Sequence, residues 1–247
     1  MSSTFKLHSP ETDTDYVIRV EADYDGDEAV PRPVVLFMDG DDQFNAAVTA
    51  YQELRAQDAV RPLLLVGVGY GASYSRPANR RGRDYTPVAH SDEPSSGGAD
   101  DFLKFLVATL WSELNRRHPV DPSVRGIAGH SLGSLLVLHA LFQPKPFFSH
   151  HLASAPSIWW ANRAILDQPR ALRAQQIALP AKLFLCVGTD DSESMTGDLR
   201  LFEEALAQSR FESLKVISRR FPGRNHYDVL PDAFRAGLAE LFPRQIH

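Results

Sequence analysis

The chain has 247 residues, a size at which many α/β proteins form a single domain. Hydrophobic residues make up 43% and charged residues 23%, close to globular averages, so the composition excludes global disorder. The net charge of −5 argues against nucleic acid or an anionic membrane as the main partner.

The first ten residues lack the apolar core of a signal peptide, and no stretch approaches the ~20 apolar residues of a membrane span. These features predict a cytoplasmic protein. The segment Thr14–Ala22 is then interpreted as an antiparallel edge strand.

Short apolar runs that end at glycine turns follow, and they predict strands buried on both faces of a parallel sheet. The single cysteine, Cys186, lies within one of these runs, so it is interpreted as a core residue without a disulfide partner. The predicted strands are Val34–Met38, Leu63–Val66 (continuing to Gly69), Val124–Ala128, Leu152–Ala155, Leu183–Val187 and Leu214–Phe221.

Segments with helical periodicity alternate with these strands. This alternation predicts right-handed βαβ units and a doubly wound, mostly parallel sheet. The predicted helices are Asn45–Gln57, Asp100–His118, Leu132–Phe142, Gly197–Ser209 and Val229–Leu241.

Residues Tyr70–Gly98 break the alternation, because they are rich in Gly, Ser, Pro and Arg and show no apolar period. A loop of this length within a compact domain is typically a lid, a binding loop or disordered. We interpret it as a substrate loop, and its arginines Arg80, Arg81 and Arg83 predict a locally basic surface.

The motif Gly129-His-Ser-Leu-Gly133 lies between the predicted strand Val124–Ala128 and the predicted helix Leu132–Phe142. A G-x-S-x-G sequence in this context is typical of a nucleophile elbow, in which a tight turn exposes the serine above the sheet. The motif therefore predicts Ser131 as a nucleophile, the alternative being a chance match in a glycine turn.

A serine nucleophile needs a base, and the order Ser, acid, His is usual in this arrangement. His226 and His247 follow the last predicted strands, and His247 ends the chain, so His226 is the predicted base. The orienting acid should follow the strand Leu183–Val187. Asp191 is preferred there, and its competitors are Asp190 and Glu193.

An oxyanion hole needs two backbone N–H donors. Leu132, which follows the nucleophile, is one candidate. The other is Asp41, in the loop after Val34–Met38, where Gly40 is expected to let the backbone turn inward. A cation site at Asp41 and Asp42 is rejected for want of further ligands, so no metal and no cofactor is expected.

Several segments, taken together and in this order, resemble the putative-esterase branch of the α/β-hydrolases, which includes enterochelin and bacillibactin esterases, esterase D and feruloyl esterases. The resemblance runs from about Phe5 to Phe242 and implies a three-layer α/β-hydrolase fold. The similar segments are Val34–Gly40, Arg81–Pro87, Gly129–Gly133, Ala155–Trp160, Gly188–Asp191 and Asn225–His226.

The resemblance implies a serine carboxylic ester hydrolase acting through an acyl-enzyme, with a small-molecule ester of siderophore or aromatic type as substrate. Feruloyl esterases carry their acid in a similar loop, which points to Asp191, whereas siderophore members suggest a Ser–His dyad. Ser134 stands where the family often has glycine. An acyltransferase, a thioesterase and a non-catalytic binding protein are the alternatives.

Arg81 and Trp159 are the predicted substrate-binding residues. A guanidinium can bind an anion or stack on an aromatic ring, and an indole can line an apolar pocket. The alternatives are that Arg81 pairs with Asp84 or a carbonyl and fixes the loop, and that Trp159 and Trp160 are one core and one rim residue.

Overall fold

The computed structural model describes residues 2–23 and 29–244. Its strands form one eight-stranded sheet in the order β1-β2-β4-β3-β5-β6-β7-β8. In this order, all neighbours from β4 onward, β3 included, pair in parallel. β1 pairs antiparallel with β2, and β2 pairs antiparallel with β4. The strands are β1 Ser2–Ser9, β2 Thr14–Ala22, β3 Arg32–Phe37, β4 Leu64–Gly69, β5 Val120–His130, β6 His150–Ser154, β7 Ala178–Gly188 and β8 Glu212–Phe221.

Helices connect the parallel strands and cover both faces of the sheet. A π-helical turn, Phe105–Leu110, joins α3 and α4 within the segment predicted as one helix over Asp100–His118. The α-helices are α1 Phe44–Ala56, α2 Arg81–Asp84, α3 Ala99–Lys104, α4 Trp111–Arg117, α5 Leu132–Leu141, α6 Trp160–Arg163, α7 Asp167–Arg173, α8 Glu193–Ser209 and α9 Leu230–Leu241, with a 3₁₀ turn at Ala164–Leu166.

Two apolar clusters, one on each face of the sheet, make this a three-layer structure. One contains Phe102 and Leu135 from the helices of the first face. The other joins Phe37 of β3 to Phe44 and Phe234, from α1 and α9. The predicted mostly parallel α/β fold is confirmed.

The antiparallel N-terminal region contains a strand that the sequence did not reveal. Thr14–Ala22 forms β2 as predicted, but β1 lies outside it and occupies the edge of the sheet. Among the β1 residues only Ser9 is buried, so the strand has no apolar run to signal it.

The segment 70–98 is anchored to the sheet rather than loose. Asp84 is fully buried and accepts hydrogen bonds from Tyr16 at 2.7 Å and Tyr70 at 3.0 Å. Arg83 Nε donates to the same carboxylate at 2.6 Å. Among the described residues, no helix is long and apolar enough to cross a membrane.

Candidate active site

Ser131 occupies a strained turn between β5 and α5. Its φ of 59° and ψ of −122° are uncommon for a residue with a side chain, and such strain is concentrated at functional sites. The turn is held because Ser131 N–H donates to the Ser154 carbonyl at 3.0 Å. The backbone conformation is that of the predicted nucleophile elbow.

Gly129 is required by the tightness of this elbow. A Cβ built on Gly129 would lie 2.4 Å from the carbonyl carbon of Gly133. Ser134, which follows the motif, is fully buried, and its hydroxyl lies 2.7 Å from the carbonyl oxygens of Gly129 and Ser154. The serine therefore fits the helix start and ties the elbow to β6.

Asp191 and His226 form a hydrogen-bonded pair beside the elbow. His226 Nδ1 lies 2.9 Å from Asp191 Oδ2. The other carboxylate oxygen accepts from the Ser192 N–H at 2.7 Å, and the Asp191 side chain is only 3% exposed. The carboxylate is thus fixed and can hold the imidazole in one tautomer.

The competing acids point elsewhere. Asp190 is exposed and accepts a hydrogen bond from Thr189, while Glu193 is exposed at the start of α8. The structure therefore brings Asp191, of the three predicted candidates, to His226. His247, the other histidine considered, lies outside the described residues.

Ser131 and His226 line one cavity of about 520 Å³. Among the described residues no hydrogen bond joins them; instead, Ser131 Oγ lies 3.3 Å from Ser157 Oγ. Catalytic hydrogen bonds are often long or poorly aligned until a substrate binds. The cavity is lined by Asp42, Gln43, Tyr74, Arg81, His130, Ser131, His226, Tyr227 and Leu230.

His130, in the elbow, supports the base. Its ring centroid lies 4.7 Å from that of His226, and its Nδ1 lies 3.0 Å from Ser154 Oγ. Burial lowers the pKa of His130 to about 3, so the imidazole is neutral near pH 7. A neutral ring can pack against His226 without repelling a proton there.

Within the described part of the chain, the backbone N–H groups of the predicted oxyanion-hole donors have no hydrogen-bond acceptor. Neither Asp41 nor Leu132 donates its N–H to a backbone carbonyl among the described residues. The Asp41 side chain turns away and accepts from Tyr70 N–H at 2.5 Å. It is Asp39, with φ of 55°, that adopts the left-handed conformation, whereas Gly40 allows the loop to approach β4 closely.

Arg81 reaches the cavity but is held by Asp39, not by Asp84 as one interpretation proposed. Its Nε and Nη2 atoms donate to the two Asp39 oxygens at 2.8 and 3.0 Å. The guanidinium also lies 4.7 Å from the centre of the Tyr74 ring. Because Arg81 and Arg83 are both paired with buried carboxylates, the loop is less basic than its composition predicts.

Of the neighbouring tryptophans Trp159 and Trp160, one is exposed and the other is buried. Trp160 is buried, and its Nε1 donates to the Val88 carbonyl at 2.8 Å, which ties the loop to the segment after β6. Trp159 is 45% exposed and is not among the residues that line the cavity. The structure therefore does not bring Trp159 to the site.

Sequence reasoning missed several cavity residues, namely Gln43, Tyr74, Tyr227 and Leu230. They belong to loops or helix ends and carry no motif of their own. Among the described residues, no group of three or more His, Cys, Asp or Glu side chains is placed to hold a metal ion.

Known proteins were compared with the chain by sequence. The family model described as "Putative esterase" matches residues 9–240. The "Siderophore triacetylfusarinine C esterase" of Aspergillus fumigatus is 35% identical over 146 residues, which are 57% of this chain and 49% of that protein. The chain thus spans about half the length of this relative. The "Ferri-bacillibactin esterase BesA" of Bacillus subtilis is 28% identical over 217 residues, 81% of this chain and 75% of that protein.

The fold was also compared with those of solved structures. The BES protein from Bacillus cereus is 28% identical and superposes with a TM-score of 0.86, covering 98% of this chain and 94% of that one. The siderophore hydrolase EstB from Aspergillus nidulans is 25% identical, with a TM-score of 0.77 and coverage of 99% and 96%. Both agree with an α/β-hydrolase fold.

Proposed function

The chain belongs to the α/β-hydrolase family described as "Putative esterase", and from that membership we propose that it hydrolyses carboxylic esters through an acyl-enzyme on Ser131. Relatives named as siderophore esterases support an ester hydrolase. The observation that carries the mechanism is that His226, whose Nδ1 lies 2.9 Å from Asp191 Oδ2, lines the same cavity as the strained Ser131.

In the proposed acylation step, Ser131 Oγ attacks the ester carbonyl carbon while His226 Nε2 takes the hydroxyl proton. Asp191 holds the imidazole through Nδ1 and stabilises the imidazolium that forms. The N–H groups of Leu132 and Asp41 hold the negative carbonyl oxygen. Collapse of the tetrahedral intermediate expels the alcohol, which receives the proton from His226.

In the proposed deacylation step, His226 activates a water molecule for attack on the acyl carbon. The second tetrahedral intermediate then releases the acid and returns the proton to Ser131. No metal or cofactor takes part in this scheme.

We propose esters of the siderophore or aromatic class as substrates. The names of the relatives support a siderophore-type ester. The cavity supports an aromatic group, because Tyr74 and Tyr227 line it and Tyr227 is 84% exposed. Arg81 contributes a cation at the same wall, although Asp39 already occupies two of its donors.

The proposal is tested with a panel of esters that includes short chromogenic esters and triscatecholate lactones, iron-free and iron-loaded. Wild type should hydrolyse members of the panel, whereas Ser131→Ala and His226→Ala should lose turnover by at least about 10³-fold. A fluorophosphonate probe should label wild type but not folded Ser131→Ala. Turnover by folded Ser131→Ala equal to wild type would refute the mechanism.

A further inference from the structure

We propose that Ser157 is a further catalytic residue, whose hydroxyl donates a hydrogen bond to Ser131 Oγ as that oxygen attacks the ester. The inference rests on the proposed function, since it assigns a role within the same acylation step. It concerns the attacking oxygen, whereas the oxyanion hole concerns the carbonyl oxygen of the substrate.

The two hydroxyl groups are neighbours, and Ser131 lines the cavity. Ser157 Oγ lies 3.3 Å from Ser131 Oγ, and Ser157 N–H donates to the Ser131 carbonyl, also at 3.3 Å. A hydroxyl pair usually lies at about 2.7–2.8 Å, so a shift of about half an ångström gives an ordinary hydrogen bond. Such tightening is expected when a substrate occupies the site.

The Ser157 hydroxyl has no competing partner among the described residues, because Ser131 Oγ is its one hydrogen-bond contact. The residue is 1% exposed, so bulk water has little access to it. A buried hydroxyl that is left without a partner is costly. The Ser157 proton is therefore directed at the nucleophile whenever Ser131 donates its own proton to His226.

The segment that carries Ser157 is fixed at both ends. Ala155 N–H donates to the Cys186 carbonyl of β7 at 2.7 Å. Trp160 Nε1 donates to the Val88 carbonyl of the 70–98 loop at 2.8 Å. A donor on a fixed segment needs little reorganisation during the reaction, which is the condition for effective electrostatic stabilisation.

The proposed role follows from the balance of protons in acylation. The Ser131 proton moves to His226 Nε2 as the bond between Ser131 Oγ and the acyl carbon forms, and the carbonyl electron pair moves to the carbonyl oxygen. Ser157 keeps its proton throughout. Its hydrogen bond is strongest when Ser131 Oγ carries most negative charge, so it favours the transition state over the ground state.

The experiment compares Ser157→Ala with two variants that keep a donor, Ser157→Thr and Ser157→Cys. Ser209→Ala serves as the matched control. Ser209 is also buried, but it is the last residue of α8 and its hydroxyl donates to the Ala205 carbonyl at 2.9 Å. For each folded variant, kcat and KM are measured on a chromogenic ester. The rate constant for fluorophosphonate inactivation and the final labelling of Ser131 are measured as well.

We expect Ser157→Ala to lower kcat and the inactivation rate constant together by about 10- to 100-fold, as for loss of a hydrogen bond to a charged group. KM and the final extent of labelling should be unchanged, and at least one donor-keeping variant should recover most of the rate. Ser209→Ala should match wild type in both rates.

Wild-type rates in Ser157→Ala would overturn the inference while the proposed function stands. So would folded Thr and Cys variants that are both as slow as Ser157→Ala, since the effect would then be one of packing. A wild-type protein that neither hydrolyses esters nor reacts with the probe would overturn both proposals.

Discussion

Asp191 has each carboxylate oxygen engaged by a different donor, His226 Nδ1 and the Ser192 N–H. An acid held in this way fixes both the position and the tautomer of the imidazole. The family resemblance raised the alternative of a Ser–His dyad, in which catalysis would not need the acid. A single substitution at this residue separates the two.

We expect Asp191→Asn to lower kcat by about 10³- to 10⁴-fold, because an amide can present the wrong tautomer to His226. Asp190→Asn is the matched control, since Asp190 is the exposed neighbour, and it should retain wild-type kcat. Steady-state turnover of a chromogenic ester measures both. A loss below about tenfold in Asp191→Asn would favour the dyad.

The ion-pair partner of Arg81 could not be predicted from the sequence. Asp84 lies three residues after Arg81 in the sequence, so an ion pair between these two neighbours was one interpretation. The actual partner, Asp39, lies 42 residues earlier, and the two meet only because the loop folds back over the end of β3. An ion pair between residues so far apart in the chain produces no sequence pattern from which it could be predicted.

We expect Arg81→Lys to lower the free energy of unfolding by about 1.5–3 kcal/mol, because an ammonium cannot match the two-point contact with the buried Asp39. The midpoint of urea denaturation reports the change. Arg80→Lys, at an exposed neighbouring site, is the control and should stay within about 0.5 kcal/mol of wild type. Equal stability of the Arg81 variant would show that the pair does not anchor the loop.

At the scale of elements, the elbow depends unequally on its two glycines. We expect Gly129→Ala to abolish folding or activity, because its Cβ would lie 2.4 Å from the Gly133 backbone. Gly133→Ala should be milder, because its nearest neighbour is the Met38 side chain at 3.1 Å. Melting temperature and ester turnover of the two variants test this order, and the reverse order would contradict it.

The elements that the sequence predicted well are those buried on both sides. β3 and β4 are buried along their whole length, so apart from Arg32 at the start of β3 their sequences contain no charged or polar side chain. The missed elements are exposed or very short. β1 is mostly exposed, and α6 contains Ala161 and Asn162 with positive φ, so no periodicity marks either.

At the scale of the whole molecule, three buried or half-buried histidines link stability to pH. Burial lowers the pKa of His130 and His151 to about 3 and that of His150 to about 4. In the unfolded chain these groups titrate near about 6.5. Between these values the unfolded state binds protons that the folded state does not, so stability falls as pH falls below about 6.5.

We expect the free energy of unfolding, from urea titrations, to be lower at pH 5 than at pH 7. The His151→Phe variant should reduce this difference by about 2 kcal/mol, since each neutral histidine contributes about 1.4 kcal/mol per pH unit below 6.5. His151 suits the test because it is fully buried and is not one of the residues that line the cavity. An unchanged difference would contradict the assignment.

The chemistry of the site was predictable to the extent that it follows the chain. The elbow, the base and the acid each come after a strand, and parallel strands place such ends at one edge of the sheet. The walls of the cavity come from loops, and their positions depend on contacts such as Trp160 with Val88. Two statements stay predictions: that residues 1–247 form a single domain, and that the protein is cytoplasmic.

Cys186 in β7 has a practical consequence for spectroscopy. It is the one cysteine of the chain, it is fully buried, and burial raises the pKa of its thiol to about 12. A thiol in that state is inert to maleimides and iodoacetamides in the folded protein. A cysteine introduced at Tyr227, on the rim of the cavity, would thus take up a fluorophore or spin label without prior removal of the native thiol.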